Sequence, residues 1–279
     1  MSSGVAVSCE GLVHIYRAED TEVVALAGID LQVAAGESVA LLGPSGAGKS
    51  TLLSILAGVL RPSAGRLRIG AHAVESMSPA QLQRMRAAEV GVVLQGASRN
   101  LLPYLTAYDN VRFAQRAAPR GAELDAPEEV LDLLGLESFA REKFQVLTPG
   151  QRQRLAVAVA VAHSPGLLLA DEPTSQLDHD AREEVLDALA QVNAVRGTTV
   201  VAVTHDPEVS ERVRRTVTIR DGRVGAEGRS GEEFAVVGRG GSLTLPLDVV
   251  AALPPGTLVR VRLQGGDGSV LLEPTGEGS

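Results

Sequence analysis

Between Leu41 and Thr51 the chain reads LLGPSGAGKST, and Gly43 to Ser50 fits a glycine, four residues, then Gly-Lys-Ser. Gly43, Gly46 and Gly48 let the backbone curl until its N–H groups point inward, where phosphate oxygens can be held. The helix that follows aims its positive end at the same place. Lys49 is positioned for β- and γ-phosphates and the Ser50 hydroxyl for Mg²⁺. Lysine is rare here: Lys49 and Lys143 are the only two, against 24 arginines. A chain that otherwise uses arginine keeps a compact ammonium where a single point charge is needed. A second constellation closes the run Leu167-Leu-Leu-Ala-Asp-Glu-Pro173. Beside a phosphate loop, Asp171 suits Mg²⁺ and Glu172 suits the polarisation of an attacking water. His205 ends a third apolar run, where a phosphate-facing residue belongs. These residues imply binding of a nucleoside triphosphate.

The elements that must position these groups alternate between strand and helix. Val5–Val13 and Gly28–Val33 read as strands around a polar loop, Arg17 to Thr21, with Tyr16 just before it as a half-buried edge residue or a ligand contact. After the phosphate loop come a strand at Arg66–Ile69 and a helix at Met77–Arg86, with Ser78 as N-cap and Pro79 at its first position. A buried strand follows at Val90–Leu94, ending in Gln95. Residues 97–146 change character: Pro103, Pro119 and Pro127 punctuate short helical patterns, the clearest being Pro127–Leu134, stopped by Gly135. Thr148 and Gln151 form a capping box with Pro149 between them, so the run LAVAVAVA is a helix although its period of two would suit a strand. A helix over Ala181–Arg196, a strand over Thr198–Val203 and a helix opened by Asp206 and Pro207 complete the pattern.

Composition narrows the partners. A formal charge of −8 and a pI near 5.2 disfavour nucleic acid. The single cysteine, Cys9, permits no internal disulfide and suits a reducing compartment. The N-terminus lacks the pattern of a signal peptide, and the apolar runs near Leu52–Leu60 and Leu155–Ala162 fall short of the roughly 18 residues that span a membrane. His14, His72, His163 and His179 read as structural or surface residues.

Together these pieces resemble the ATP-binding-cassette ATPases over residues 5–228. GPSGAGKST is similar to Walker A, Gln95 to the Q-loop, LTPGQ to the signature, LLLADEP to Walker B, SQLD to the D-loop and VTHD to the H-loop. The resemblance implies an α/β fold, a P-loop NTPase cassette with a helical insertion at about 97–165. It implies ATP and Mg²⁺ as ligands, with Gly43, Ser45, Gly46, Gly48, Lys49, Ser50 and Thr51 around the phosphates. Tyr16 would stack on adenine, while Ser50, Gln95 and Asp171 attend the metal. Glu172 would be the general base and His205 would hold the γ-phosphate. Thr148, Pro149, Gly150, Gln151 and Asp178 would act on the nucleotide of a second copy in a head-to-tail dimer. Within the family, the tract from Tyr16 to Gly28, NLLPYLTAYDNV and LADEPTSQLD resemble the lipoprotein-release, macrolide-export and cell-division group, whose ATPases drive separate integral-membrane subunits from the cytoplasmic face. Three positions depart from the family: Thr148-Pro149-Gly150 for Ser-Gly-Gly, Val159 for arginine, and Ser175-Gln176 for Gly-Asn. Pro149 removes an N–H from a helix start that should face phosphate.

Arg220 to Val224 reads as a closing hairpin and Gly225 to Glu233 as a polar linker. From Phe234 to Ser279 a small β-rich module is expected, with strands at Phe234, Ser242–Leu245, Thr257–Leu263 and Ser269–Glu273, a helix opened by Pro246 and a Gly-Gly-Asp-Gly turn. Its tract GSLTLPLDVVAALPPGTLVRV resembles AbrB-type swapped-hairpin dimers. Arg239, Arg260 and Arg262 against Asp248, Asp267, Glu273 and Glu277 leave a net charge of −1, which suits dimerisation or regulation better than DNA. The expected function is that of an ATP-hydrolysing subunit of a membrane complex. The alternatives are a non-transport cassette ATPase and a nucleotide-gated regulator using the C-terminal module on DNA or protein.

Overall fold

The computed structural model describes residues 4–18, 21–205, 209, 212–229, 232–237, 241, 243, 245, 247–254, 256–264 and 269–274. Its centre is a seven-stranded sheet in the order β11-β10-β9-β3-β8-β7-β6. These strands are β3 (Ser38–Leu42), β6 (Val90–Val93), β7 (Leu167–Asp171), β8 (Thr199–Val203), β9 (Arg215–Arg220), β10 (Arg223–Arg229) and β11 (Glu232–Ala235). From β9 to β6 neighbours run parallel. Parallel strands are covered on both faces, which is why VALL, LLLA and TVVAV read as continuous apolar runs rather than alternating ones. The register puts Leu41, Val203 and Asp171 in one row. Gly43, His205 and Glu172 therefore leave the sheet at its carboxyl edge, where open α/β sheets bind ligands.

A second, antiparallel sheet, β2-β1-β4-β5, contains β1 (Val7–Ala18), β2 (Thr21–Val33), β4 (Ala64–Ile69) and β5 (His72–Ala73). The polar loop expected from Arg17 to Thr21 is shorter: Arg17 pairs with Glu22 and Ala18 with Thr21, so the hairpin carries Tyr16 along on a strand. Between the two sheets lies α1 (Lys49–Leu56), whose Leu52, Ile55 and Leu56 are fully buried in a core shared by Leu12, Leu26, Ile29, Leu67, Val201 and Val217.

α2 (Pro79–Glu89) starts on the Ser78 cap, with Gln81 reaching back in a capping box. α3 (Ala107–Gln115), α4 (Pro127–Leu133) and α5 (Pro149–Val161) form the helical insertion. They meet in a second core of Val111, Val130, Leu131, Leu136 and Leu147 that continues onto Leu168, Ala170, Val200 and Ala202 of the sheet. The capping box at Thr148 and Gln151 is present. Leu155, Ala156, Val157, Ala158, Ala160 and Val161 are all buried; a helix covered on nearly every side needs no helical periodicity, which explains why its pattern mimics a strand. α6 (His179–Arg196) is capped by Asp178 and stopped by Gly197.

The linker expected over Gly225 to Glu233 is not there. Residues 223–229 continue as β10 in register with β9, and β11 pairs antiparallel with β10 at the edge of the main sheet. Phe234 thus belongs to the seven-stranded sheet. The sequence does not read as a strand there because ion pairs hold it: Arg215 on β9 bonds Glu227 on β10, while only Gly225 and Ala226 of β10 are buried. Further on, α7 (Leu247–Ala252), β12 (Val259–Gln264) and β13 (Ser269–Pro274) match the expected helix and hairpin. Ser242, Thr244, Pro246, the 265–268 turn and the start at Asp206 and Pro207 lie outside the described residues; Leu243 bridges to Val237. Among the described residues no helix is long and apolar enough to cross a membrane.

Candidate functional site

The turn after β3 is built by geometry that only glycine meets. Gly43 has φ +142°, and a Cβ there would stand 2.1 Å from the Ile219 carbonyl oxygen; at Gly48, φ +98°, it would stand 2.4 Å from that of Ala25. Lys49 is 7% exposed, and its Nζ donates to the carbonyl oxygens of Gly43 at 2.7 Å and Pro44 at 2.9 Å. The ammonium is thereby stretched back over the loop it serves. α1 has no side-chain cap and no acidic residue in its first turn. Its positive end is left for an anion.

A cavity of about 720 Å³ opens on this turn, lined by Tyr16, Val23, Val24, Ala25, Gly43, Ser45, Gly46, Gly48, Lys49, Ser50, Thr51, Gln95, Asp171, Glu172 and His205. Tyr16, 42% exposed, is anchored at both ends. Its hydroxyl lies 3.3 Å from Thr51 Oγ1, and its ring meets His14 edge-on at 4.7 Å between centroids. The ring is held with a free flank, next to the apolar wall of Val23 and Val24, as a planar base requires.

At the end of β7, Asp171 receives a hydrogen bond from the Ser50 hydroxyl. Burial, and next the charge of Glu172, push its carboxyl above the ordinary range; the Ser50 bond, Lys49 and Arg99 pull the other way. Asp171 Oδ1 is buried with no hydrogen-bond partner. An orphaned carboxylate oxygen beside a hydroxyl and Gln95 is an oxygen donor set suited to Mg²⁺, which takes one or two carboxylates and leaves the rest of its shell to phosphate and water. Glu172 follows in a left-handed conformation, φ 47°, with its N–H donating to Val203 O at 2.8 Å. That backbone turns its carboxylate back to His205, whose Nδ1 is 2.9 Å from each carboxylate oxygen. Nε2 is the nitrogen left for a ligand.

Gln95 sits where β6 runs out, and a residue the sequence did not single out fixes it there. Asn100 donates from Nδ2 to Val92 O at 2.7 Å and accepts at Oδ1 from Leu94 N at 2.9 Å. The available signal is an amide at the end of the polar run Ser98-Arg99-Asn100, just before the apolar Leu101-Leu102. Val23 and Val24 are not singled out by the sequence either, because the returning strand is expected only from Gly28, whereas β2 begins at Thr21.

Thr148, Pro149, Gly150, Gln151 and Asp178 do not line the cavity. Thr148 Oγ1 accepts from Gln151 N at 3.3 Å, and Gln151 Oε1 from Thr148 N at 2.9 Å. Pro149 has no N–H and that of Gln151 is taken, so Gly150 N–H is what this turn can offer a ligand. Gly150 also lets α5 approach α6: a Cβ there would meet that of Ala181 at 2.8 Å. Asp178 Oδ1 caps α6 through Ala181 N at 2.8 Å.

The sequence matches the ABC transporter family over residues 26–175. It is 39% identical over 221 residues to the lipoprotein-releasing system ATP-binding protein LolD 1 of Caulobacter vibrioides, covering 78% of this chain and 94% of that one. It is 34% identical to the macrolide export ATP-binding/permease protein MacB of Bdellovibrio bacteriovorus, covering 80% of this chain and 34% of that longer one. Among solved structures, the dimeric post-hydrolysis state of the ATP-binding cassette MJ0796 bound to ADP and Pi superposes with a TM-score of 0.71 at 34% identity, covering 80% of this chain and 98% of that one.

Proposed function

Because the chain belongs to the ABC transporter family, as an ATP-binding cassette that hydrolyses ATP, we propose that it powers a separate integral-membrane subunit from the inner face of the cell membrane, in the manner of the lipoprotein-releasing ATP-binding proteins; the similar macrolide-export protein is by its name ATP-binding protein and permease in one. The observation that carries this reading is convergence. Tyr16, the Gly43–Thr51 turn, Gln95, Asp171, Glu172 and His205 come from five separate segments and line one cavity.

The geometry supports the following roles. Adenine stacks on the free flank of Tyr16. The phosphates lie over Gly43, Ser45, Gly46 and Gly48, with Lys49 turning from the Gly43 and Pro44 carbonyls to the β- and γ-oxygens. Ser50, Asp171 and Gln95 would hold Mg²⁺, which when bound neutralises charge that builds on the phosphate oxygens during transfer. Glu172 accepts a proton from the attacking water, and His205 orients Glu172 through Nδ1 while offering Nε2 to the γ-phosphate. Thr148, Pro149, Gly150, Gln151 and Asp178, which stand outside this cavity, serve the cavity of a second copy. That assignment is supported by the dimeric state of the similar solved cassette.

Residues beyond Ala235 are a small β-rich unit of their own in this reading. The test is affinity capture of the tagged full chain from native membranes. An integral-membrane subunit that co-purifies and raises ATP turnover supports the proposal; an ATPase that leaves membranes alone and unstimulated removes the transport assignment.

A further inference from the structure

β12 and β13 form a two-stranded sheet that no other described strand joins. The register pairs Val259 with Pro274 and Val261 with Leu272, and Val270 falls on the same face by alternation. The opposite face carries Arg260 paired with Glu273, Arg262 with Leu271 and Gln264 with Ser269. Val261 is 63% exposed and Val270 56%. Of the sixteen large apolar side chains exposed among the described residues, seven lie between Phe234 and Val270. That is nearly half of them in a small fraction of the chain. An isolated two-stranded hairpin is marginal in water and needs further strands or a packed face.

We infer that the Val259–Val261–Val270–Leu272 face packs against the same face of a second copy of this chain. The inference rests on the proposed pairing of cassettes, and extends it to a surface that does not line the nucleotide cavity. Two features point to a like partner. The face carries no charge, so it is complementary to itself across a two-fold axis. Its size also matters: six-residue strands about 20 Å long, in a pair about 10 Å wide, offer roughly 200 Å² per copy. Face-to-face contact then buries roughly 400 Å², well under the ~1,000 Å² of a free-standing interface. A surface that small does not capture a foreign protein from solution. It suffices for a copy already brought close, because it then acts at high effective concentration.

The test uses the full chain. Cys9 is buried, its thiol pushed up to about 12 first by burial and then by Asp30, so it does not compete in oxidative cross-linking. Val261→Cys should cross-link copies at least about tenfold faster than Gln264→Cys on the opposite face, since cross-linking follows which face is apposed. In a Glu172→Gln background with ATP, Val261→Asp should weaken the dimer about tenfold, because two carboxylates are forced into an apolar contact. An ATP-dependent dimer with equal cross-linking at both positions and an unchanged dissociation constant overturns the hairpin contact alone. A Glu172→Gln chain that stays monomeric with ATP overturns the cassette pairing, and this inference with it. Binding of the full chain to phospholipid vesicles that Val261→Asp abolishes, without effect on the dimer, overturns the second copy as occupant.

Discussion

His205 Nδ1 lies 2.9 Å from both carboxylate oxygens of Glu172, and the contact exists because Glu172 takes up a left-handed backbone conformation at the end of its strand. Strain at that position is worth keeping only if the carboxylate has to point into the cavity. Replacing Glu172 by Gln keeps the shape and one hydrogen bond to the ring but removes the base. Turnover should drop on the order of 10²–10⁴-fold, the usual share of general-base help, with ATP affinity retained. Phosphate release and nucleotide titration on the same preparation decide it; near-normal turnover would move the base elsewhere.

Asp171 gives an opposite balance between folding and function. Burial, then Glu172, raise its carboxyl above the ordinary range. A raised folded-state value means the folded chain binds more protons than the unfolded one in that window. Stability therefore falls as pH rises through it, and the penalty persists at neutral pH. Asp171→Asn should raise the melting temperature of the nucleotide-free protein at neutral pH, with the gain vanishing in acid below the ordinary carboxylate range. Mg²⁺-dependent nucleotide binding should be lost in the same variant. A lower melting temperature at neutral pH would show that the charge supports the fold.

What was legible in the sequence was local. The capping boxes of Ser78 with Gln81 and Thr148 with Gln151 involve partners three residues apart, and Lys49 and Asp171 sit in short motifs whose geometry follows from their own backbone. What was not legible depends on distant partners. Asn100 matters because it returns to Val92 and Leu94. Tyr16 matters because Thr51 and His14 hold its ring. β10 reads as a linker in the sequence because its hold on the sheet runs through Glu227 to Arg215, a charge pair that hydrophobic patterning does not register.

That pair should carry real stability. Arg215 is 8% exposed and bonds Glu227, Glu37 and the Gln32 carbonyl, joining β9 to β10 and to the end of β2. Removing it leaves Glu227 with Arg229 and Glu37 with the Ala34 N–H, so the carboxylates lose their strongest partner but not every partner, and Arg215→Met should cost about 1.5–3 kcal/mol. Burial alone would raise Glu227, but the Arg215 bond and charge, with Arg229, hold it below its ordinary range. A depressed folded-state value gives stability that is present above the ordinary range and lost as pH falls through it. Urea unfolding at several pH values should show that acid-side loss in the parent and a flatter profile in Arg215→Met. Parallel profiles would assign the pH dependence to other groups.

Pro149 sets the strength of the contact one copy makes with the other's nucleotide. At the first position of α5 its fixed φ favours the helix start, yet it leaves Gly150 N–H as the turn's offer to a phosphate. Pro149→Gly adds one charge-assisted donor, about 1.5–3 kcal/mol. The loosened backbone of the unfolded chain costs about 0.4–1 kcal/mol. The gain acts only when nucleotide lies across the dimer, whereas the cost acts on folding at all times, so the two separate experimentally. Melting temperature without nucleotide should fall slightly. In the Glu172→Gln background the ATP-bound dimer should tighten by about 10- to 150-fold for each nucleotide contact, the factor those energies imply, and the symmetric dimer gains two such contacts. Sedimentation across a protein concentration series with ATP measures it. An unchanged dissociation constant would mean that Thr148 and Gly150 already supply every donor the partner's phosphate can use, with the proline serving only the helix it begins.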